Sequence, residues 1–287
     1  MTANLSRLYE TPASYTRGIQ KHERPAPTMT LATQSEFFAD AAAPVEDSSV
    51  RDELISVVAR EWADHPRSLQ AAIGPSEVGV ACARQLAAKL AGAERVNAGG
   101  DLLPAWIGTA GHAKLEAAFA ADNARLVAEG NAPRWIIEQR VEVAIGLSGS
   151  CDVFDVREGR AIDHKFLGAN TFREYRKNGP PRHYVVQAMC YGAGWVRAGY
   201  AVREVAIWMI PRAGTMAGSH LWSAPFDQAV ADAAVDRLNL IRAAVDGFGA
   251  AADHTQLNRV PATPGLGCRF CPVFSASPTD SWSCSGT

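Results

Sequence analysis

Apolar residues at helical spacing begin near Val50, where we expect the ordered part of the chain to start. The first predicted helix carries one apolar face, made of residues three or four positions apart: Leu54, Val57, Val58 and Trp62. A second helix is expected after Gly74, with Ser76 as its N-cap and with apolar or small residues four apart at Cys82, Leu86 and Leu90. A third helix is predicted over residues 112–127.

The pattern then changes to the alternation that is typical of strands. Three successive segments show it, with turns at Gly146 and at Glu158-Gly159: RWIIEQRVEVAI, LSGSCDVFDV and GRAIDHKFL. A helix over about 184–197, a strand in REVAIWMIP, a further strand in HLWSAPF and a long helix over about 228–245 follow. This order predicts a mixed α/β protein with a small central sheet.

The two ends of the chain lack such periodicity. Residues 1–48 contain prolines, small residues and charges, which predict a flexible arm, and residues 261–287 are rich in Pro, Gly and Ser. With 47% hydrophobic residues and a net charge of −2, the 287-residue chain is neither disordered nor collagen-like, and any DNA binding must use a local basic patch. It has no apolar run that could span a membrane and no apolar signal core, so we expect a cytoplasmic protein with reduced thiols.

Two carboxylates and a lysine fall on neighbouring predicted strands. Asp152 lies on the second strand, and Asp163 and Lys165 share one face of the third, with His164 on the other face. If the strands are hairpin neighbours, Asp152 and Asp163 converge, and a divalent cation such as Mg²⁺ or Mn²⁺ would relieve their repulsion. A lysine beside that ion can activate water and stabilise charge on a phosphate. The alternative is an exposed ion pair, which the apolar flanks in AIDHKFL disfavour.

Two helical pairs flank these strands in the chain. His112 and Glu116 are four apart on the helix before the strands, and Gln187 and Tyr191 are four apart on the helix after them. Imidazole can complete a Mn²⁺ or Mg²⁺ shell, and an amide can hold a phosphate or water. Ordinary surface contact and packing are the alternatives for both pairs.

Taken in order, these residues resemble the PD-(D/E)XK nuclease superfamily, in particular its RecB-like branch of CRISPR-associated exonucleases and phage recombination nucleases. The segments that carry the resemblance span about residues 74–191: GTAGHAKLE, SGSCDVFD, AIDHK and QAMCY. The resemblance implies a restriction-endonuclease-like core within residues 49–260. It also implies a metal-dependent DNA exonuclease of recombination or repair in the cytoplasm of a bacterium or phage-infected host.

The same resemblance implies a role for each matching residue. His112, Asp152 and Asp163 would bind the metal together with the backbone carbonyl of His164. Lys165 would serve the attacking water, while the last motif would position lysine and substrate through Gln187 and Tyr191. Asp163 stands where many members have Glu, which is longer by one methylene.

The cysteines suggest a second metal site. Cys268 and Cys271 form a Cys-x2-Cys pair, and Cys284 follows 13 positions later. The resemblance implies a [4Fe–4S] cluster held by these three with Cys82, which would pack the 261–287 tail against the helix around Cys82. The final interval is longer than is common in the family, and structural Zn²⁺ with His254 as a ligand, or free thiols, remain alternatives. The other two cysteines are interpreted as small buried hydrophobes: Cys151 and Cys190.

A basic segment, FREYRKNGPPRHY, connects the lysine strand to the glutamine helix and should border the site. We expect its cations to contact DNA phosphates without reading sequence: Arg173, Arg176, Lys177 and Arg182. Its aromatic residues are candidates for stacking on unpaired bases: Phe172, Tyr175 and Tyr184. A solvated loop with ordinary charges is the alternative.

The sequence therefore favours a DNA exonuclease acting on single strands or duplex ends. The alternatives are a non-catalytic nucleic-acid-binding or adaptor protein that keeps the nuclease fold and its cysteine module, and a zinc-tailed α/β protein whose resemblance is accidental. Cleavage polarity, strand preference, exonuclease against endonuclease action, oligomeric state and pathway remain open at this stage.

Overall fold

The computed structural model describes residues 48–63, 72–97, 101–278 and 280–286. The sheet lies in the compact unit that residues 52–287 form. The helices of the described chain lie before, between and after the strands: α1 Ser48–Ala63, α2 Pro75–Val78, α3 Ala83–Leu90, α4 Leu103–Ala128, α5 Ala169–Asn178, α6 Arg182–Arg197 and α7 Gln228–Phe248. The predicted flexible arm lies outside the described residues, apart from Ser48.

Five strands form one mixed sheet in the order β1-β2-β3-β4-β5. Their bounds are β1 Trp135–Ala144, β2 Leu147–Asp155, β3 Arg160–Leu167, β4 Glu204–Pro211 and β5 His220–Pro225. The first three strands pair antiparallel, β3 pairs parallel with β4, and β4 pairs antiparallel with β5. A parallel pair needs a crossover, which α5 and α6 provide. The predicted α/β class with a central mixed sheet flanked by helices is confirmed.

Helix α6 fixes the depth at which the site residues lie. All ten residues from 186 to 195 are buried, because this helix packs against the sheet on one side and against α7 on another. Two glycines permit the close approach. A Cβ at Gly194 would lie 2.6 Å from Val141 Cγ2 of β1, and one at Gly192 would lie 2.5 Å from the Phe226 ring. The helix that carries Gln187 and Tyr191 is therefore seated directly on the sheet.

Three details of the sequence prediction are wrong. The second helix is interrupted: α2 ends at Val78, and α3 starts only at Ala83. Gly74, not Ser76, occupies the N-cap position of α2, and Cys82 is the N-cap residue of α3. The backbone turns at Gly79, where a Cβ would lie 2.8 Å from His183 Cα, a contact with no signature in the local sequence.

Two further segments also differ from the expected pattern. In α1, Leu54 and Val57 of the predicted apolar face are 65% and 53% exposed. The basic segment after β3, which was assigned no helix, contains α5.

Within the described residues, no helix is both long and apolar enough to cross a membrane.

Candidate active site

The strands β2 and β3 part at the point where the two aspartates lie. The two strands form three residue pairs, and Val153–Ile162 is the pair farthest from the turn that connects them. Beyond this pair the strands separate. Asp152 and Asp163 are the next residues on either strand, so their side chains project at the fork. Across it, the His164 amide donates a 2.5 Å hydrogen bond to Asp152 Oδ2. The hairpin at Glu158-Gly159 thus brings both carboxylates to one place, as its register requires.

Asp163, Lys165 and Gln187 form a closed triangle of polar contacts. Lys165 Nζ lies 2.7 Å from Asp163 Oδ2 and donates to Gln187 Oε1 at 3.0 Å. Gln187 Nε2 in turn donates to Asp163 Oδ1 at 2.8 Å and reaches Tyr191 Oη at 3.4 Å. The Lys165 ammonium also lies 4.8 Å from the centre of the Tyr184 ring. The amide therefore fixes both the carboxylate and the lysine, so neither can rotate freely.

The two aspartates have different electrostatic environments. Burial raises the pKa of Asp163 to about 6, although the Lys165 ammonium works against this, and the negative charge of Asp152 adds to the increase. Burial also acts against ionisation of Asp152, but contact with His112 and the nearby cationic groups keep the pKa of Asp152 below its ordinary value. Binding of a cation is favoured beside two buried carboxylates whose pKa values are shifted in opposite directions.

Three side chains at the fork have the spacing of a metal site. Ligand atoms of His112, Asp152 and His164 all lie within 4.8 Å of one another, and His112 Nδ1 is 3.3 Å from Asp152 Oδ1. Burial lowers the pKa of His164 to about 4, so its imidazole is neutral and keeps a lone pair. The sequence prediction assigned only the carbonyl of His164 to this site. Its imidazole packs parallel to the Phe119 ring, at 5.7 Å, on the face covered by α4.

Sequence reasoning missed Glu138, which lies in β1 between Ile137 and Gln139, whose partners Val153 and Cys151 flank Asp152 in β2. Its backbone φ is +47°, which is uncommon for a residue with a side chain. Glu138 Oε1 lies 4.0 Å from His112 Nδ1. Nothing in the local sequence distinguishes it from other charged strand residues, because its position depends on pairing across the sheet.

Most of these groups line one groove of about 620 Å³, whereas His164 and Tyr184 are not among its lining residues. Its charged and imidazole side chains are His112, Glu116, Glu138, Arg140, Asp152, Asp163 and Lys165. The His112–Glu116 pair predicted on α4 therefore faces the groove, as do Gln187 and Tyr191 of α6. The arrangement combines acidic ligands, a positioned ammonium and open access.

The predicted DNA-binding cations lie elsewhere. Arg173, Arg176 and Lys177 are exposed on α5 and Arg182 is exposed at the start of α6, but none is among the described residues that line the groove. Phe172, a predicted stacking residue, is buried and cannot receive a base. The predicted stacking residues Tyr175 and Tyr184 instead contact each other edge to face, at 5.9 Å.

The four cysteines of the predicted cluster line a second cavity of about 200 Å³: Cys82, Cys268, Cys271 and Cys284. Backbone amides donate to two of the sulfurs, from Thr263 to Cys82 and from Gly286 to Cys284, each at 3.4 Å. In the described part of the chain, no three cysteine sulfurs come within 4.8 Å of one another. His254, the alternative zinc ligand, does not line this cavity, and its Nε2 lies 3.2 Å from the Ala91 carbonyl.

The remaining cysteines are buried, as their interpretation as small hydrophobes requires. Cys151 and Cys190 are inaccessible to solvent, and burial raises the pKa of both thiols, to about 12 for Cys190. Neither residue lines the active-site groove or the cysteine cavity.

No protein-family model matches the chain, and neither does any curated protein. Similar solved structures include the alkaline exonuclease LHK-Exo from Laribacter hongkongensis, which is 14% identical with a TM-score of 0.41, over 62% of this chain and 89% of that chain. Its complex with dAMP is 16% identical, with the same TM-score and coverage. A phage-related exonuclease from Haemophilus somnus 129PT is 12% identical with a TM-score of 0.34, over 50% of this chain and 74% of that chain.

Both of these proteins are exonucleases by name, which is the class of enzyme that the sequence resemblance implies.

Proposed function

We propose that the protein is a divalent-metal-dependent nuclease of the PD-(D/E)XK type, which hydrolyses phosphodiester bonds in DNA and acts from strand ends as an exonuclease. The observation that carries this proposal is the fork between β2 and β3. There Asp152 and Asp163 line one groove, and Lys165 lies 2.7 Å from Asp163 while bonded to Gln187. A purely structural scaffold has no need for buried acids, an oriented ammonium and an open groove at the same position.

The residues at the fork fit a Mg²⁺ or Mn²⁺ ion. Carboxylates from Asp152 and Asp163 offer the oxygen ligands that both ions prefer, and a histidine favours Mn²⁺. His164 Nε2 is buried and has no hydrogen-bond partner among the described residues. The carboxylates of Asp152 and Asp163 repel each other, and burial strengthens this repulsion. A cation bound at the fork would remove it.

The chain itself orients the reacting groups. What a bound ion supplies is Lewis-acid polarisation of the phosphate. Gln187 holds Lys165 through its carbonyl oxygen and Asp163 through its amide nitrogen, so the lysine presents a remaining N–H towards the groove. That donor can orient a water for attack and stabilise the negative charge that develops on the phosphate.

A test of this function compares linear, end-labelled DNA with covalently closed circular DNA, in single- and double-stranded forms, with Mn²⁺ or Mg²⁺. We expect degradation of linear DNA only, and its loss in Asp163→Ala and in Lys165→Ala. Asp232→Asn on the exposed side of α7 and Lys114→Ala on α4 serve as matched controls. Retained cleavage in both active-site variants would refute the assignment, and metal-independent DNA binding without cleavage would favour the non-catalytic adaptor. Cleavage of circles would replace exonuclease by endonuclease action.

We further propose that the cysteine cavity holds a [4Fe–4S] cluster. Zinc bonded to thiolates at about 2.3 Å would bring tetrahedral sulfurs to within about 3.8 Å of one another. The four thiols line a cavity, and among the described residues no three of them lie within 4.8 Å of one another, which suits a larger cluster. Amide donors to Cys82 and Cys284 are the kind of contact that stabilises thiolate ligands. When bound, the cluster would supply a structural cross-link between the tail and the start of α3.

Metal analysis of protein purified without oxygen tests the cluster. We expect iron and acid-labile sulfide, with a broad absorbance at about 400 nm, and loss of both in Cys271→Ser. Cys190→Ala is the control, because Cys190 is buried outside the cavity. Zinc in place of iron would establish the alternative site, and protein free of both metals would show that the thiols are unligated.

A further inference from the structure

The active-site groove is acidic, although its proposed substrate is a polyanion. Among the described residues that line it, four are carboxylates: Glu116, Glu138, Asp152 and Asp163. The lysines and arginines of that lining are Lys165 and Arg140. Lys165 is already held by Asp163 and Gln187 at the fork. Arg140 is therefore the remaining lysine or arginine, among the described residues of the lining, that can contact DNA away from the reacting phosphate.

Arg140 is held in position by its neighbours in the β1–β2 hairpin. It pairs with Ser150 in the ladder, and its guanidinium Nη2 donates to Ser148 Oγ at 2.6 Å. Ser148 and Ser150 alternate with buried or small residues along β2 and line the same groove. The serine hydroxyl restricts the rotation of an exposed arginine. The guanidinium makes no other hydrogen bond to the described part of the chain, so its remaining N–H donors can bind an anion.

The distance from the fork matches the next unit of a nucleic-acid strand. Arg140 pairs with Ser150, which lies two residues along β2 from Asp152. At about 3.4 Å per strand residue, this separation is about 7 Å along the sheet. A strand whose scissile phosphate reaches the fork would place a neighbouring phosphate beside Arg140. A guanidinium can donate two parallel hydrogen bonds to such a phosphate.

We propose that Arg140, oriented by Ser148, binds the non-scissile phosphate next to the cleavage position and so directs the substrate strand along the β1–β2 hairpin. This inference rests on the proposed nuclease function and deepens it, since it assigns a substrate-binding residue outside the catalytic triangle. It also gives the groove the positive contact that its acidic lining lacks.

The test measures DNA binding in a Lys165→Ala background, where cleavage does not interfere. Arg140→Gln should bind a labelled oligonucleotide about tenfold more weakly, with the slope of log affinity against log salt reduced by about one. Arg140→Lys should recover part of the affinity. Arg197→Gln is the matched control, because Arg197 pairs with Glu142 of the same strand and is not among the groove-lining residues. In the cleaving enzyme, Arg140→Gln should raise KM while kcat changes less than about threefold.

Oligonucleotides with one neutral methylphosphonate at each position in turn provide the decisive readout. Neutralising the phosphate next to the scissile one should weaken binding to the parent protein but leave Arg140→Gln unaffected. If Arg140→Gln matches Arg197→Gln in affinity, salt dependence and this scan, the inference is wrong while the nuclease function stands. If the parent protein neither binds nor cleaves DNA, the proposed function itself fails.

Discussion

The fork between β2 and β3 and the cysteine cavity are two proposed metal sites of opposite construction. The fork belongs to the sheet, and its side chains already contact one another through Lys165, Asp163 and Gln187. The cavity is assembled from the N-cap of α3 and from a tail with little regular structure. Among the described residues no three of its thiols lie within 4.8 Å of one another. Side-chain and backbone hydrogen bonds from Arg84 and Asn97 to the tail backbone join its walls.

This difference indicates what each site needs from its metal. Because the sheet and α6 fix the fork, we expect the catalytic ion to affect chemistry far more than folding. Because the cavity joins segments 181 residues apart in the chain that no β-sheet connects, we expect its cofactor to affect folding far more than chemistry. The following experiments test that division, beginning with the largest expected effect.

Lys165→Ala should lower the cleavage rate at saturating Mn²⁺ by about 10³-fold or more, since it removes the donor aimed at the reacting phosphate. The melting temperature should change little in comparison, because the sheet does not depend on this side chain. Single-turnover kinetics and calorimetry on the same preparations measure both quantities. A variant that cleaves at wild-type rate, or one that fails to fold, would contradict the view of the fork as a pre-assembled site.

Asp163→Asn should stabilise the metal-free protein by an amount that grows between about pH 4 and pH 6. Burial raises the folded-state pKa of Asp163 to about 6, above its ordinary value of 3.8, so wild-type stability falls as pH rises through this window. The difference approaches at most about 3 kcal/mol.

Urea unfolding of both proteins at several pH values, with chelator present, measures this effect. The pKa of His164 is lowered to about 4, so this residue makes the folded protein less stable as pH falls. Because both proteins contain His164, its contribution cancels in the difference between them. Saturating Mn²⁺ should abolish the advantage of Asp163→Asn. A difference that is independent of pH would show that Asp163 does not carry the raised pKa.

Gln187→Ala should lower kcat by about ten- to a hundredfold and leave KM nearly unchanged, because the amide orients Lys165 and Asp163 rather than the substrate. Gln228→Ala, at the exposed start of α7, is the matched control. A rise in KM with unchanged kcat would instead assign Gln187 to substrate binding.

Asn97→Ala should have the smallest effect, a loss of about 1 kcal/mol of stability. Its side-chain amide donates to the carbonyls of Arg269 and Cys271 and so ties the tail to the residues after α3. Chelator-induced bleaching of the cluster absorbance should become faster, while cleavage in Mn²⁺ stays unchanged over the same period. Equal bleaching rates in variant and parent would show that these bonds do not control access to the cavity.

The order of the strands along the chain and the hairpin between β2 and β3 follow from local signals in the sequence. Alternation in LSGSCDVFDV and GRAIDHKFL, with a turn at Glu158-Gly159, is enough to bring Asp152 and Asp163 opposite each other. The features it did not predict depend on contacts between distant segments. Glu138 and Arg140 acquire their positions through pairing with β2, and the break at Gly79 follows from contact with α6.

The imidazole of His164 illustrates the same limit in a single residue. Strand alternation correctly separates it from Asp163 and Lys165, but alternation alone cannot reveal that α4 covers the other face with His112 and Phe119. Which face of a sheet receives a helix is decided by tertiary packing. Strand alternation therefore identifies the acids of the site more readily than the imidazole of His164.

The glycines of α6 make the reaction geometry sensitive to changes far from the groove. A methyl group at position 194 would collide with Val141 and lift the helix by a fraction of an ångström, and the Gln187 amide would move with it. The hydrophobic core can absorb such a shift, whereas the alignment of an amide with an ammonium and a carboxylate cannot. Substitutions on this buried surface should thus produce soluble, folded protein with slow turnover, a phenotype that screens for expression alone would overlook.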